Sequence, residues 1–222
     1  VAERFLIVET SHPLGQVAIA LDGVIVAARP LDESRRHARD LVPAVAALLQ
    51  AQGWRASDLT GVIVSRGPGS YTGLRVGLMS AKTLAYATGC ALLAVDTFEA
   101  IYRQVRSAHP AIDVIADAQQ DKIYVQRFGP QPEPLAIVPF ADWLERARTS
   151  QSVVTGPGLE IFAARLSDPV RSLPREFWLA QPAGLLETGL ERYRAGERDD
   201  PFQAEPLYLR PSSAEEKWRK PV

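Results

Sequence analysis

The apolar residues of this chain follow a repeating order of short runs and helical stripes, and that order occurs twice. Runs at residues 5–10, 16–21 and 24–28 predict three strands. The last two flank Asp22-Gly23, a pair that favours a two-residue hairpin. Ala38, Leu41, Val42, Val45, Leu48 and Leu49 then recur at helical spacing, and Gly53 closes the stretch. Pro43 within it predicts either a first turn begun at Asp40 or a kink. A strand at 61–65, a helix at 72–88 ending at Gly89, a strand at 91–95 and a helix capped by Thr97 and running to about residue 107 complete the first half.

The second half repeats the order more loosely. Strands at 112–116 and 123–128 enclose the polar turn Gln119-Gln120-Asp121, and a third run at 135–138 follows a loop with Pro130, Pro132 and Pro134. A helix at about 141–148, a strand at 152–155 and the turn Gly156-Pro157-Gly158 lead into another helix. A helix at about 183–194 lies amid loops, and residues 206–211 form a short extended segment. Gly67-Pro68-Gly69 and Gly156-Pro157-Gly158 thus occupy matching places between a strand and a helix. A duplicated βββαβα unit is expected, with lobes at 1–108 and 109–222 and an α/β fold.

The densest signal is SRGPGSYTGLRVGLMSAKTLAYATG, residues 65–89. Glycines and a proline immediately before a helix are costly unless the backbone must turn sharply or approach something closely. The free N–H groups of a helix start also suit an anion. Neither standard phosphate motif fits, however. After Gly67 and its four-residue spacer come Thr72-Gly73 with no Lys, and the third glycine of a G-x-G-x-x-G pattern falls one residue late, at Gly73. The helix that follows has a second property. Gly73, Gly77, Ala81, Ala85 and Gly89 recur every four residues and form a ridge almost free of side chains. Such a ridge permits close helix packing, on a partner or on the protein's own sheet. The helix near 38–49 adds Ala44, Ala47 and Ala51, so its apolar arc is wider than one core-facing stripe needs.

Composition narrows the function without choosing it. The 222 residues are 46% hydrophobic and 23% charged, and the net charge of −1 supplies no basic field for nucleic acid. Residues 210–220 are locally basic, partly offset by Glu215 and Glu216. One cysteine, Cys90, cannot form an internal disulfide, and the start of the chain shows no signal pattern, so a cytoplasmic setting is expected. Cys90 sits in an apolar context that reads as a buried small residue. The histidines, His12, His37 and His109, lie far apart with no H-E-x-x-H, so no metal ligands are expected, and no Ser/His/Asp order stands out. Asp117 ends a strand beside Gln119, Gln120 and Asp121, which reads as a solvated hairpin.

Several segments, taken in order, resemble the TsaB family within the actin-like ATPase superfamily. They are Ile7-Val8-Glu9-Thr10-Ser11, the stretch from Arg36-His37 to Leu49, the block at 65–89, Val95-Asp96-Thr97-Phe98-Glu99-Ala100, Asp117-Ala118 with Ile123-Tyr124, and Leu207-Tyr208-Leu209-Arg210-Pro211. The resemblance implies an actin-like (ASKHA, ribonuclease H-like) fold of two lobes. It also implies a non-catalytic subunit that binds TsaD, with TsaE joining the assembly. Such subunits are needed for TsaD to transfer a threonylcarbamoyl group to the adenosine next to the anticodon of tRNAs reading codons that begin with A. Contact through first-lobe helices is implied, as is homodimerisation through the same surface, with tRNA met only indirectly. Together with the small-residue ridge, this makes His37, Leu41, Ala44, Val45, Leu48, Gly73, Gly77, Ala81 and Ala85 the interface candidates.

In the superfamily the first strand ends in an Asp near the metal-bound phosphates, where this chain has Glu9 followed by Thr10 and Ser11. Glu9, Thr10, Ser11, Gly67, Gly69 and Ser70 are therefore the candidates for nucleotide binding. No cofactor is expected to be required, with weak ATP or ADP binding, by this chain or at a shared interface, left open. The competing reading is an active ATPase or small-molecule kinase that uses the Gly67–Gly69 loop and Glu9.

Overall fold

The computed structural model describes residues 2–31 and 37–209, and for residues 37 and 38 the backbone alone. The polar patch at 32–36 and the basic stretch at 210–220 lie outside the described residues. Strands β1 (Arg4–Glu9), β2 (Gln16–Leu21), β3 (Val24–Pro30), β4 (Gly61–Gly67) and β5 (Ala91–Asp96) form one sheet in the order β3-β2-β1-β4-β5. Strands β6 (Ile112–Asp117), β7 (Lys122–Phe128), β8 (Glu133–Pro139), β9 (Val153–Thr155) and β10 (Arg171–Ser172) form the other. Read from the β8 edge, its order is β8-β7-β6-β9-β10. In both sheets the first three strands are mutually antiparallel and the last two run parallel to the central one. The two sheets therefore repeat one βββαβα unit.

The helices are α1 (His37–Ala51), α2 (Tyr71–Thr88), α3 (Thr97–Val105), α4 (Phe140–Thr149), α5 (Leu159–Phe162) and α6 (Pro182–Arg194). They divide into three layers because the central strands are buried on both faces, which explains why those strands read as continuous apolar runs. On β1, Phe5 and Ile7 face a core shared with Phe98 and Ile101 of α3, Leu185 and Leu190 of α6, and Ile112 and Val114 of β6. Leu6 and Val8 face the opposite core, with Leu41 and Leu48 of α1 and Leu78 and Ala81 of α2. Ile115, Ile123 and Val154 of the second sheet turn away from the first and pack under Phe140, Trp143 and Phe162 of α4 and α5. Helices α3 and α6 thus lie between the sheets, while α1 with α2 and α4 with α5 cover the outer faces. Although α6 comes late in the chain, it presses on the first sheet, and a methyl group at Gly189 would lie 2.6 Å from Ile63.

Local chemistry accounts for the turns and for several departures from the sequence reading. Asp22 and Gly23 have φ of 49° and 85°, the pair of positive values a type I′ hairpin requires. Helix α1 starts at His37 rather than Asp40, so Pro43 lies beyond the first turn and offers no N–H to the carbonyl four residues back. It is tolerated on the exposed side of the helix. Thr97 does not cap α3. Asp96 holds the N-cap position, and Thr97 is the first helical residue, buried among its neighbours. The two-residue strand β10 carries no periodicity long enough to be read from sequence. Residues beyond α6 run back along the first lobe, where Asp199 Oδ2 accepts a hydrogen bond from Ala94 N at 2.7 Å. Further on, Leu207 N donates to Arg66 O at 2.7 Å.

Candidate functional site

The sequence brings two groups of residues into question, and the fold places both against α2. The first group gathers where β1 ends. Glu9 is 2% exposed, and its Oε1 accepts hydrogen bonds from Ser11 N at 2.6 Å and from Ser11 Oγ. The carboxylate thus folds back over its own chain and closes a local turn. Among the described residues no cation is paired with it, and burial pushes the Glu9 carboxyl up to about 7, partly offset by the hydrogen bonds from Ser11 and Ser65. Among the described residues, Glu9 Oε2 and Thr10 Oγ1 are buried with no hydrogen-bond partner. Ser65 Oγ on β4 accepts from Thr10 N at 3.3 Å.

The glycine block fits onto this strand end from above. Ser70 N donates to Ser11 O at 2.7 Å, and Ser70 Oγ caps α2 by accepting from Gly73 N at 3.3 Å. A methyl group on Gly69 would lie 2.5 Å from Ser11 O, one on Gly73 2.0 Å from Thr10 O, and one on Gly77 2.1 Å from Thr10 Oγ1. Gly67, at φ of 119°, backs onto Leu207. Glu9, Thr10, Ser11, Gly67, Gly69 and Ser70 therefore do come together, but they fill each other's space. The glycines admit the end of β1, and the space a side chain would take at each is filled by that strand end.

The same contacts decide which way the ridge of small residues faces. Gly73, Gly77, Ala81 and Ala85 are all buried against the protein's own sheet, and only Gly89 ends outside. On α1, Leu41, Ala44 and Leu48 are likewise buried in that core, and Val45 is half-buried. The side chain of His37 lies outside the described residues. The ridge is thus a device for seating α2 on β1, and most of the interface candidates serve the interior.

What the two helices leave uncovered is a groove of about 400 Å³ between them. Val42 and Val45 of α1 and Met79, Thr83, Leu84 and Ala87 of α2 line its walls, with Ala81, Leu6 and Val8 below. Val42 is 65% exposed and Met79 58%, so Val42 is not the core position its spacing suggests. Beside the groove, exposed Tyr86 meets exposed Phe202 edge to face. Met79, Thr83 and Tyr86 recur at helical spacing on the outward side of α2, with Arg75 and Lys82 flanking them. That stripe was available in the sequence and is the signal that marks the groove.

The remaining sequence candidates are more ordinary. Asp117 is exposed and accepts from Gln119 N at 2.8 Å, closing a hairpin in which Gln119, Gln120 and Asp121 all have positive φ. Cys90 is half-buried, and burial raises its thiol. Across the two lobes, His12 Nε2 lies 3.0 Å from Glu160 Oε2 of α5. Among the described residues no three His, Cys, Asp or Glu side chains are placed to hold a metal, and no helix is long and apolar enough to cross a membrane.

The doubled βββαβα unit with two helices held between its sheets is the architecture of the actin-like ATPases. A solved structure of YeaZ from Pseudomonas aeruginosa superposes with a TM-score of 0.76 at 23% identity, covering 93% of this chain and 100% of that one. The family model described as TsaD, tRNA N6-adenosine threonylcarbamoyltransferase, matches residues 22–148, more than half of the chain, and the chain belongs to that family. Along nearly its whole length it is similar to the tRNA threonylcarbamoyladenosine biosynthesis protein TsaB of Bacillus subtilis, at 28% identity over 96% of both chains. An uncharacterized protein of Mycobacterium tuberculosis is 30% identical over 92% of this chain and 90% of its own.

Proposed function

We propose that this protein works in tRNA threonylcarbamoyladenosine biosynthesis as a non-catalytic subunit that docks on TsaD through the groove between α1 and α2. The role in the pathway rests on full-length similarity to TsaB proteins of Bacillus subtilis and Escherichia coli. The observation that carries the docking reading is the contrast within the first lobe. The strand end that would hold phosphates is packed with the protein's own atoms, while an apolar groove lined by Val42 and Met79 stands open. An uncovered apolar surface of this kind, on helices otherwise seated by close packing, suits a protein partner. A helix pair from TsaD would fill it, and a second copy of this chain would compete for it. TsaE joins the pair in a larger assembly, and tRNA is met through TsaD.

The competing kinase reading needs Glu9 free to meet a metal-bound phosphate, whereas its accepting oxygen is held by Ser11. In this reading the chain needs no cofactor of its own, and any ATP or ADP belongs to a weak interlobe site or to the shared interface. The test is reconstitution. Cognate TsaD with TsaE, threonylcarbamoyladenylate and tRNA should form modified adenosine only when this chain is added, and the two proteins should co-purify. Calorimetric titration of the isolated chain with Mg·ATP should give little heat; tight, metal-dependent binding with turnover would favour the kinase reading instead.

A further inference from the structure

A second cavity, of about 200 Å³, lies in the other lobe between α4 and the β7–β8 edge, away from both places described above. Its floor is charged. Asp113 of β6, 2% exposed, accepts from Arg127 Nε at 2.7 Å and Arg127 Nη2 at 3.0 Å, and from Trp143 Nε1 at 3.1 Å. Arg127 Nη2 also donates to Ser150 and Ser152 at 3.2 and 2.7 Å. A carboxylate buried this deeply is tolerable only with such pairing. The hydrogen bond to Asp113 in turn raises the pKa of Arg127, so its guanidinium stays charged. Pro134, Val125, Ala136 and Val138 supply apolar walls.

The mouth is less settled than the floor. Nη1 of Arg127, the amine not engaged below, lies 3.7 Å from Glu133 Oε1, and Nη1 of Arg146 lies 3.8 Å from Glu133 Oε2. Both distances exceed hydrogen-bonding range. Two guanidinium groups therefore share one half-exposed carboxylate that neither grips, directly above an apolar wall. We propose that this cavity is a binding site for a small aliphatic carboxylate. Its head group takes the place of Glu133 between Arg127 and Arg146, and its hydrocarbon part lies against Val125, Ala136 and Val138. The planar fork of arginine matches a carboxylate in geometry as well as charge. The volume is below the roughly 300 Å³ at which larger ligand pockets begin, so a molecule of a few heavy atoms is the right size.

Sodium butyrate is the probe, with sodium chloride and butanol as controls at matched concentration and ionic strength, and the indole N–H resonance of Trp143 is the readout. Butyrate should move that resonance saturably, while the controls leave it in place. Arg146→Ala should weaken binding about tenfold, the worth of a charged hydrogen bond. Glu133→Gln, which removes the internal competitor, should tighten binding several-fold. Both residues are more than half exposed, so both variants should fold. The proposal is overturned if butyrate produces no saturable shift, if chloride or butanol produces the same one, or if the two variants bind butyrate as the wild type does.

Discussion

The two copies of the βββαβα unit cover the outer faces of their sheets differently. In the first, α1 and α2 run 15 and 18 residues, and they part to leave Val42 and Met79 in solvent. In the second, α4 and α5 run 10 and 4 residues, and Phe140, Trp143 and Phe162 close over the sheet. The second sheet is also the smaller, ending in strands of 3 and 2 residues, and Val170 and Trp178 help to cover it. The longer pair in the first lobe covers a larger sheet and still leaves apolar residues facing outward. The buried carboxylates differ in the same sense. Asp113 in the second lobe has an arginine and an indole, while Glu9 in the first has only Ser11 and Ser65 and is held near neutrality by burial.

Breaking this contrast should give effects of graded size. The largest loss of stability is expected from Asp113→Ala, which strands Arg127 in the second lobe and should cost about 4 kcal/mol in urea unfolding. Gly73→Ala comes next, at about 3 kcal/mol, because its methyl group would meet Thr10 O at 2.0 Å and backbone must move. In the second lobe Gly158→Ala, at the place that matches Gly69, meets Ala116 Cα at 3.1 Å and should cost only about 1 kcal/mol. Equal losses at the two positions would show that the contact of α2 with Thr10 is not the tighter of the two.

Glu9 supplies a pH dependence of stability. Its carboxyl is raised from 4.5 to about 7 in the folded state. Between those values the folded protein keeps a proton that the unfolded chain has released, so the contribution of Glu9 to stability is greatest below 4.5 and falls as pH rises through the window. The fall amounts to about 3 kcal/mol at most. Glu9→Gln keeps an acceptor for Ser11 and should remove most of that slope, as measured by urea unfolding at a series of pH values. The smallest changes in stability, within about 0.5 kcal/mol, are expected from Val42→Asp and Met79→Asp, since neither side chain is packed in the core.

Most of the fold could be read from the chain because the doubled order of strands and helices is written in its periodicity. Asp22-Gly23, Gly89 and the paired Gly-Pro-Gly turns mark boundaries by the conformations they allow. The site was less legible, for a physical reason. Small residues every four positions announce close packing but not the object packed against, and only the neighbours of Gly73 and Gly77 reveal that it is Thr10. Val42 shares the helical spacing of the core stripe yet projects into solvent, because that stripe is wider than the sheet it covers. A leucine at Gly77 would accordingly report on folding, with Thr10 Oγ1 in the way, and not on docking.

The most direct test of the account is the affinity of Val42→Asp and Met79→Asp for cognate TsaD, by calorimetry, beside unfolding curves for the same variants. Each charge placed in an apolar contact should weaken binding by at least about thirtyfold while stability stays at the wild-type level. Wild-type affinity in both variants, with normal folding, would contradict the assignment of the α1–α2 groove as the docking surface.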